Sequence, residues 1–248
     1  MFGTTHILYM IITGAVLFGI VILALVKKSD RLNRFLIRLF AILTLAIQYS
    51  VMWVEYFGEK DATVYGDLLL PIYPCNVCMW LLFVSSLILD KRGWVASSVR
   101  DFTFWATMVC CTIGTVFNYN FAAKPDLTDY YILKGLLTHA TTVYGAAVLL
   151  ISGYAKIRVG RALRAVALGL LLFFVDGVLV NAIYAFFGLP EVNAMYLLEP
   201  PFAAMPWFNT AFIGLLAILV AFIVSVIYEQ IALKHEERWY SVLKHPKR

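Results

Sequence analysis

Apolar residues fall in seven long runs separated by short polar segments: His6–Val26, Phe35–Phe57, Leu68–Leu89, Phe102–Phe117, Tyr131–Tyr154, Ala162–Phe187 and Asn209–Ile231. Each is close to the roughly 20 residues needed to cross a bilayer as a helix. The pattern predicts an all-α, polytopic membrane protein, a seven-transmembrane-helix bundle in which residues 1–248 form a single integral membrane domain. No soluble domain fits between the runs. Composition agrees: 62% of residues are hydrophobic and 14% charged, against roughly 25% charged in a soluble domain.

A net charge of +5 raises the question of nucleic acid, and the positions of the basic residues answer it. Seventeen of the twenty lie in alternate connecting segments and at the adjoining run ends, from Lys27–Arg38, Lys91–Arg100 and Lys156–Arg164 to the tail after Leu233; only Lys60, Lys124 and Lys134 lie on the other side. By the positive-inside rule the amino terminus is expected outside and the carboxyl terminus in the cytoplasm. The surplus is a topology signal, so no nucleic-acid partner is expected; anionic headgroups are the expected neighbours of that face. The first run has no basic residue before it and is followed at once by Lys27–Lys28. That is the reverse of a signal peptide, so it is read as a retained helix.

One run is interrupted. Leu70-Pro71-Ile72-Tyr73-Pro74-Cys75-Asn76-Val77-Cys78 places two prolines and a nucleophilic side chain where an ordinary spanning helix would have none. The prolines lack N–H groups, so the first turns cannot be regular, and a helix that restarts at Pro74 puts a proline in its favoured first position. Cys75 then lies in a first turn with free backbone N–H groups, those of Cys75, Asn76 and Val77, around it. Irregular backbone at membrane depth needs protein cover or a cavity, which predicts a pocket here. Cys110 and Cys111 read as small core residues.

Few other polar groups lie within the runs. Gln48 suits a helix-to-helix hydrogen bond. His139 is the one histidine inside a run, and an intramembrane ionisable group is a functional hypothesis by default. Counted from the outer ends of their runs, Cys75 and His139 are both roughly 10 to 12 Å deep. Gly135, His139 and Thr142 share a face on which the glycine would let a neighbouring backbone approach. Gly177, Asn181 and Tyr184 form a second small and polar face, and Asp176 points elsewhere, either towards His139 or into a hydrogen bond within the bundle. Asn118 and Asn120 end the fourth run as helix caps or as a polar vestibule. The last outer loop, Gly188 to Trp207, has no basic residue and several prolines and large apolar side chains, as a lid against the outer leaflet would. The seventh run contains no lysine, which disfavours a retinal protein, and the basic, aromatic tail suits the inner surface.

A thiol in apolar surroundings is a poor nucleophile because desolvation penalises the thiolate. His139 could take its proton, the helix start could stabilise the anion, and the free N–H groups could receive an oxyanion. Three other readings stand beside this one: a thiol oxidoreductase using Cys75-x-x-Cys78, a non-enzymatic lipid-binding or scaffold protein, and a zinc site of Cys75, Cys78 and His139.

The motif series Leu70-Pro71-Ile72-Tyr73-Pro74-Cys75, Pro125-Asp126-Leu127, His139, Asn181 ahead of Asn193-Ala194-Met195-Tyr196-Leu197-Leu198, and Pro206-Trp207 resembles the YwaF and transmembrane protein 164 family of integral membrane acyltransferases. The departures are Tyr73-Pro74, where the family more often has a histidine or glutamine and an aliphatic, and Ala194 in place of a frequent tyrosine. The resemblance implies transfer of a fatty acyl group between lipids through a cysteine thioester, with Cys75 as acyl acceptor and His139 as base. Asn76, Asn181, Asn193, Tyr196, Gln48 and Asp176 are the supporting or substrate-binding candidates. A membrane phospholipid donor and a lysolipid acceptor are the expected partners, with no cofactor and no metal. The site is expected towards the extracytoplasmic leaflet of a plasma membrane, bacterial by expectation.

Overall fold

The computed structural model describes residues 3–57, 70–116, 126–200 and 205–244. The readings on Asn118, Asn120, Lys60, Lys124 and Pro125 lie outside the described residues. Every regular element among those described is helical: α1 (Thr4–Lys27), α2 (Asp30–Phe57), α3 (Pro74–Leu87), α4 (Trp94–Val116), α5 (Tyr130–Ile151), α6 (Val159–Phe186), a 3₁₀ turn (Ala194–Tyr196), α7 (Thr210–Ala232), a second 3₁₀ turn (His235–Glu237) and α8 (Trp239–Lys244).

Five of these helices, α1, α2, α5, α6 and α7, are long and apolar enough to cross a membrane. The expected third and fourth crossings differ from the other five. Among described residues the run Leu68–Leu89 is helical only over the 14 residues of α3, about 21 Å at the helical rise. The helix of the fourth begins earlier than the apolar run, at Trp94. It takes in Ser97, Ser98, Arg100 and Asp101, which dilute its apolar character.

The helix α5 is the centre. It packs on α1, α2, α3 and α4, and 72% of its most apolar window is buried, against 11% for α1 and α7, which leave most of their apolar surface facing outward. That outward surface matches hydrocarbon, which needs no polar covering. Sequence explains why α5 tolerates its central position. Thr138, Thr141 and Thr142 return their hydroxyls to carbonyls one turn back, and Gly145, Ala146 and Ala147 are small and buried. Thr141 also meets Thr44 of α2, hydroxyl to hydroxyl at 2.7 Å.

Polar contacts at one end of the bundle lock the connecting turns. Asp101, fully buried, accepts two hydrogen bonds from Arg161 (2.8 and 2.9 Å) and one from the Lys156 N–H (2.9 Å). Arg100 donates to the carbonyls of Ile88, Lys91 and Tyr154. Glu229 of α7 accepts from the N–H groups of Val159 and Trp239, which draws the tail back onto the bundle. Arg34 pairs with both Asp30 and Asp90, and Asp30 also accepts from Tyr154. Burial pushes the Tyr154 phenol up to about 12, so it remains a donor throughout the neutral range.

Candidate functional site

Pro74 occupies the first turn of α3, and Tyr73 caps it in an extended conformation (φ −108°, ψ 152°). The helix therefore restarts where the proline pattern places it, and Cys75 lies half-buried in that first turn. The backbone ahead is held by a tight bond from the Ile72 N–H to the Leu70 carbonyl, 3.0 Å. One expectation is corrected. The N–H groups of Asn76 and Val77 are not free; both donate to the Tyr73 carbonyl, at 2.9 and 3.3 Å. The restart at Pro74 leaves that carbonyl within reach of the first two regular donors, so Tyr73 closes the turn itself. The Cys75 thiol lies 3.4 Å from the Asn76 side-chain oxygen.

All four cysteines are free thiols, and they gather at one place. Cys78 and Cys111 belong to a single buried cluster with Val77, Leu81, Phe102 and Met195, and Cys75 and Cys110 pack against it. Cys78 of α3 thus packs with Cys110 and Cys111 across the α3–α4 contact. Among the described residues no three His, Cys, Asp or Glu side chains converge so as to hold a metal ion.

His139 reaches the same region from α5. Its imidazole lies against Gly114 of α4, so closely that a Cβ on that glycine would be 2.8 Å from Cε1 and Nε2 and 3.1 Å from Nδ1. The close approach is therefore to Gly114; a Cβ on Gly135, where the sequence suggested it, would meet no neighbouring element within 4 Å. Cys110 and Gly114 are four residues apart on α4, neighbours on one helix face at about 6 Å. Cys75 packs against the cluster that Cys110 also joins, and His139 lies against Gly114 on the same helix; among the described residues no hydrogen bond joins Cys75 to His139. The Nδ1 atom of His139 is buried and has no hydrogen-bond partner.

The outer loop after α6 covers the lead-in to Cys75. The Met195 N–H donates to the Ile72 carbonyl at 2.8 Å, and the Tyr196 ring rests on Tyr73, centroids 5.8 Å apart. Met195 and Tyr196 both take left-handed backbone (φ 54° and 56°), a strained conformation for such side chains that persists only where surroundings impose it. The surroundings are specific. Asn181 accepts from the Ala194 N–H at 2.9 Å, Thr210 donates to the Tyr196 carbonyl at 2.6 Å, and Leu197 fills the space beside Gly177. Asn193 closes the loop on itself, accepting from Leu198 and Glu199 and donating to the Glu199 carbonyl. Beside this loop a cavity of about 420 Å³ opens between α6 and α7, lined by Phe174, Tyr196, Leu197, Glu199 and Thr210 among others.

Of the residues singled out in sequence, Cys75 and Asn76 share the first turn of α3 and His139 lies against α4 from α5, while Asn193 and Tyr196 belong to the loop over the lead-in to Cys75 and Asn181 holds that loop from α6. Two do not join them. Gln48 is half-buried on α2. Asp176 and His139 are not bonded to each other, since the buried Oδ2 of one and Nδ1 of the other both lack partners. Gly114 and Thr210 belong to the region without having been singled out, and Cys110, read as a small core residue, lies there too; only the approach of other elements marks them.

A helical bundle with lipid-facing apolar surface and a cysteine at a broken helix start defines a polytopic membrane protein with a candidate site inside it. The chain belongs to the TMEM164 family, whose model matches residues 1–228. No curated protein and no solved structure matches it.

Proposed function

We propose that this protein is an integral membrane acyltransferase that moves a fatty acyl group from a phospholipid donor to a lysolipid acceptor through a thioester on Cys75. The observation that carries the reading is His139. A half-buried imidazole lies against Gly114 of α4 with its buried Nδ1 unpartnered, and the half-buried Cys75 packs against the cluster that holds Cys111 of the same helix. An unsatisfied buried nitrogen costs about 1–3 kcal/mol, a cost that a proton-transfer role explains and simple packing does not.

In this reading His139 takes the Cys75 proton and the thiolate attacks the donor's ester carbonyl carbon. The tetrahedral intermediate collapses by breaking the bond to the glycerol oxygen, which receives the proton from His139 and leaves as a lysolipid. The acceptor's hydroxyl then gives its proton to His139 and attacks the thioester. Breakage of the carbon–sulfur bond regenerates the thiol, reprotonated from His139. The positive end of α3 faces the sulfur throughout.

The proposed topology has seven crossings, with α3 plus its lead-in as the third and α4 as the fourth, the amino terminus outside and the carboxyl terminus in the cytoplasm. Cys75 then lies under the outer leaflet headgroups, near the depth of phospholipid ester groups.

Intact-protein mass spectrometry after incubation with mixed phospholipids tests the chemistry. An acyl-sized mass gain on the parent chain that is absent in Cys75→Ala is expected, with His139→Ala slowing its appearance. A Cys75→Ala protein that still transfers acyl groups at the parent rate would overturn the reading.

A further inference from the structure

At the end of the bundle opposite Cys75, Arg161 and Arg164 lie near the start of α6, and both reach across to α4. Arg161 binds the Asp101 carboxylate through Nε and Nη2. Arg164 donates from Nε to the Ser98 hydroxyl at 3.2 Å, and that hydroxyl is itself oriented by a 2.8 Å bond to the Trp94 carbonyl. The two arginines are three residues apart on α6, and their partners are three apart on α4, so the guanidinium groups are neighbours about one helical turn apart. Among the described residues, Nη1 of Arg161 and both terminal nitrogens of Arg164 have no partner. Charge at this seam does not balance. Arg100, Arg161 and Arg164 face one carboxylate, that of Asp101, and Arg100 is bound only by the carbonyls of Ile88, Lys91 and Tyr154. The other described acids of this end are engaged or lie in the tail: Asp30 and Asp90 pair with Arg34, Glu229 accepts two backbone N–H groups, and Glu236 and Glu237 are exposed in the tail.

Position selects the missing counter-ion. The 28 residues of α6 span about 42 Å, whereas bilayer hydrocarbon is about 30 Å thick, so a centred helix leaves about 6 Å outside it at each end. Arg161 and Arg164, the third and sixth residues of α6, therefore lie at the hydrocarbon boundary, where an arginine head reaches the level of lipid phosphates. The face of α6 that carries Arg164 continues one and two turns on as Leu168 and Leu171, exposed to 40% and 58%. Trp94, at the start of α4, is 59% exposed, as an interfacial anchor is. A soluble anion makes no use of that apolar strip. A phospholipid whose phosphate meets the arginines lays its acyl chains along it, and the planar fork of a guanidinium suits phosphate oxygens.

We propose that Arg161 and Arg164 form a binding site for the phosphate of an anionic phospholipid, held at the basic end of the bundle with its acyl chains along Leu168 and Leu171. In the proposed topology this lipid belongs to the inner leaflet. It is a resident ligand that completes the charge of the α4–α6 seam, and it takes no part in the chemistry at Cys75, so the site stands apart from the acyl-transfer reading. Native mass spectrometry of the full-length protein in detergent, titrated with phosphatidylglycerol or with phosphatidylcholine of the same chains, measures the binding. The parent is expected to hold phosphatidylglycerol about 10-fold more tightly, the scale of one charge-assisted bond. Arg164→Gln, which leaves the Arg161–Asp101 pair in place, should remove that preference. Lys27→Gln, at an exposed lysine of α1, should keep it. On the parent protein alone, phosphatidylglycerol should raise the thermal unfolding midpoint and millimolar inorganic phosphate should not.

An unchanged preference for phosphatidylglycerol in Arg164→Gln would overturn the assignment. So would an equal loss in Lys27→Gln, which would make the preference an effect of net charge rather than of a site. Stabilisation of the parent by inorganic phosphate to the same extent as by phosphatidylglycerol would overturn the lipid as the ligand and leave a site for soluble anions.

Discussion

The imidazole of His139 has almost no freedom, because Gly114 brings the α4 backbone against it. A methyl group at that position would be 2.8 Å from two ring atoms, closer than nonbonded carbons approach, so the ring must move. Gly114→Ala is therefore expected to lower acyl transfer by about 100-fold, the scale of an ångström-sized misplacement of a catalytic group, while the thermal unfolding midpoint falls by only a few degrees. The rate and the melting curve, measured on the same preparation, separate these two effects; a parent-like rate would remove His139's fixed position from the mechanism. Sequence pointed to His139 through its rarity as an intramembrane ionisable group. It could not point to Gly114, since one glycine among fifteen is marked only by what another helix brings to it. The same limit explains why Gly135 was the wrong partner: helical spacing shows which residues share a face and not which neighbour that face meets.

At the level of elements, the restart of α3 was legible because proline chemistry is local. A missing N–H and a fixed φ act on the residues beside them, so Pro71 and Pro74 located the break without knowledge of the fold. The covering loop was legible only as a loop. Its bond from Met195 to Ile72 joins residues more than a hundred positions apart, and its two left-handed residues are set by Asn181 and Thr210 from two other helices. Asn181 thus acts on the lead-in to Cys75 through the loop, as a positioning residue. Asn181→Ala is expected to cost about 1 kcal/mol of stability, the net value of one such bond. It should speed amide hydrogen exchange in residues 193–199 and at Ile72, while exchange in the middle of α5 stays at the parent rate. Exchange unchanged at Ile72 would separate the loop from the site. For the inner end, Asp101→Ala is expected to cost about 3 kcal/mol or more, because it leaves Arg161 without its carboxylate and the Lys156 N–H without an acceptor. Thermal unfolding in detergent measures that loss.

For the whole molecule, charge and burial divide the same chain in two different ways. The basic residues concentrate at one end of the helices, and there they serve two purposes. Arg100, Arg161 and Arg34 are bound into carbonyls and carboxylates that fix the turns. Lys27, Lys28, Lys91 and Arg92 are exposed and free to meet anionic headgroups, at about 1 kcal/mol each near such a surface. The opposite end carries Cys75, the covering loop and the exposed acids Glu191 and Glu199. Positive charge is retained on the cytoplasmic side during insertion, so the end holding Cys75 should face outward, and a lipid would reach it from the outer leaflet. Single cysteines test this in a background with Cys75, Cys78, Cys110 and Cys111 replaced by serine. Glu191→Cys should react with a membrane-impermeant maleimide on intact cells, whereas Lys91→Cys should react only after permeabilisation. The reverse pattern would invert the protein and move the proposed chemistry to the inner leaflet, leaving the end where Lys27, Lys28, Lys91 and Arg92 are exposed to face outward.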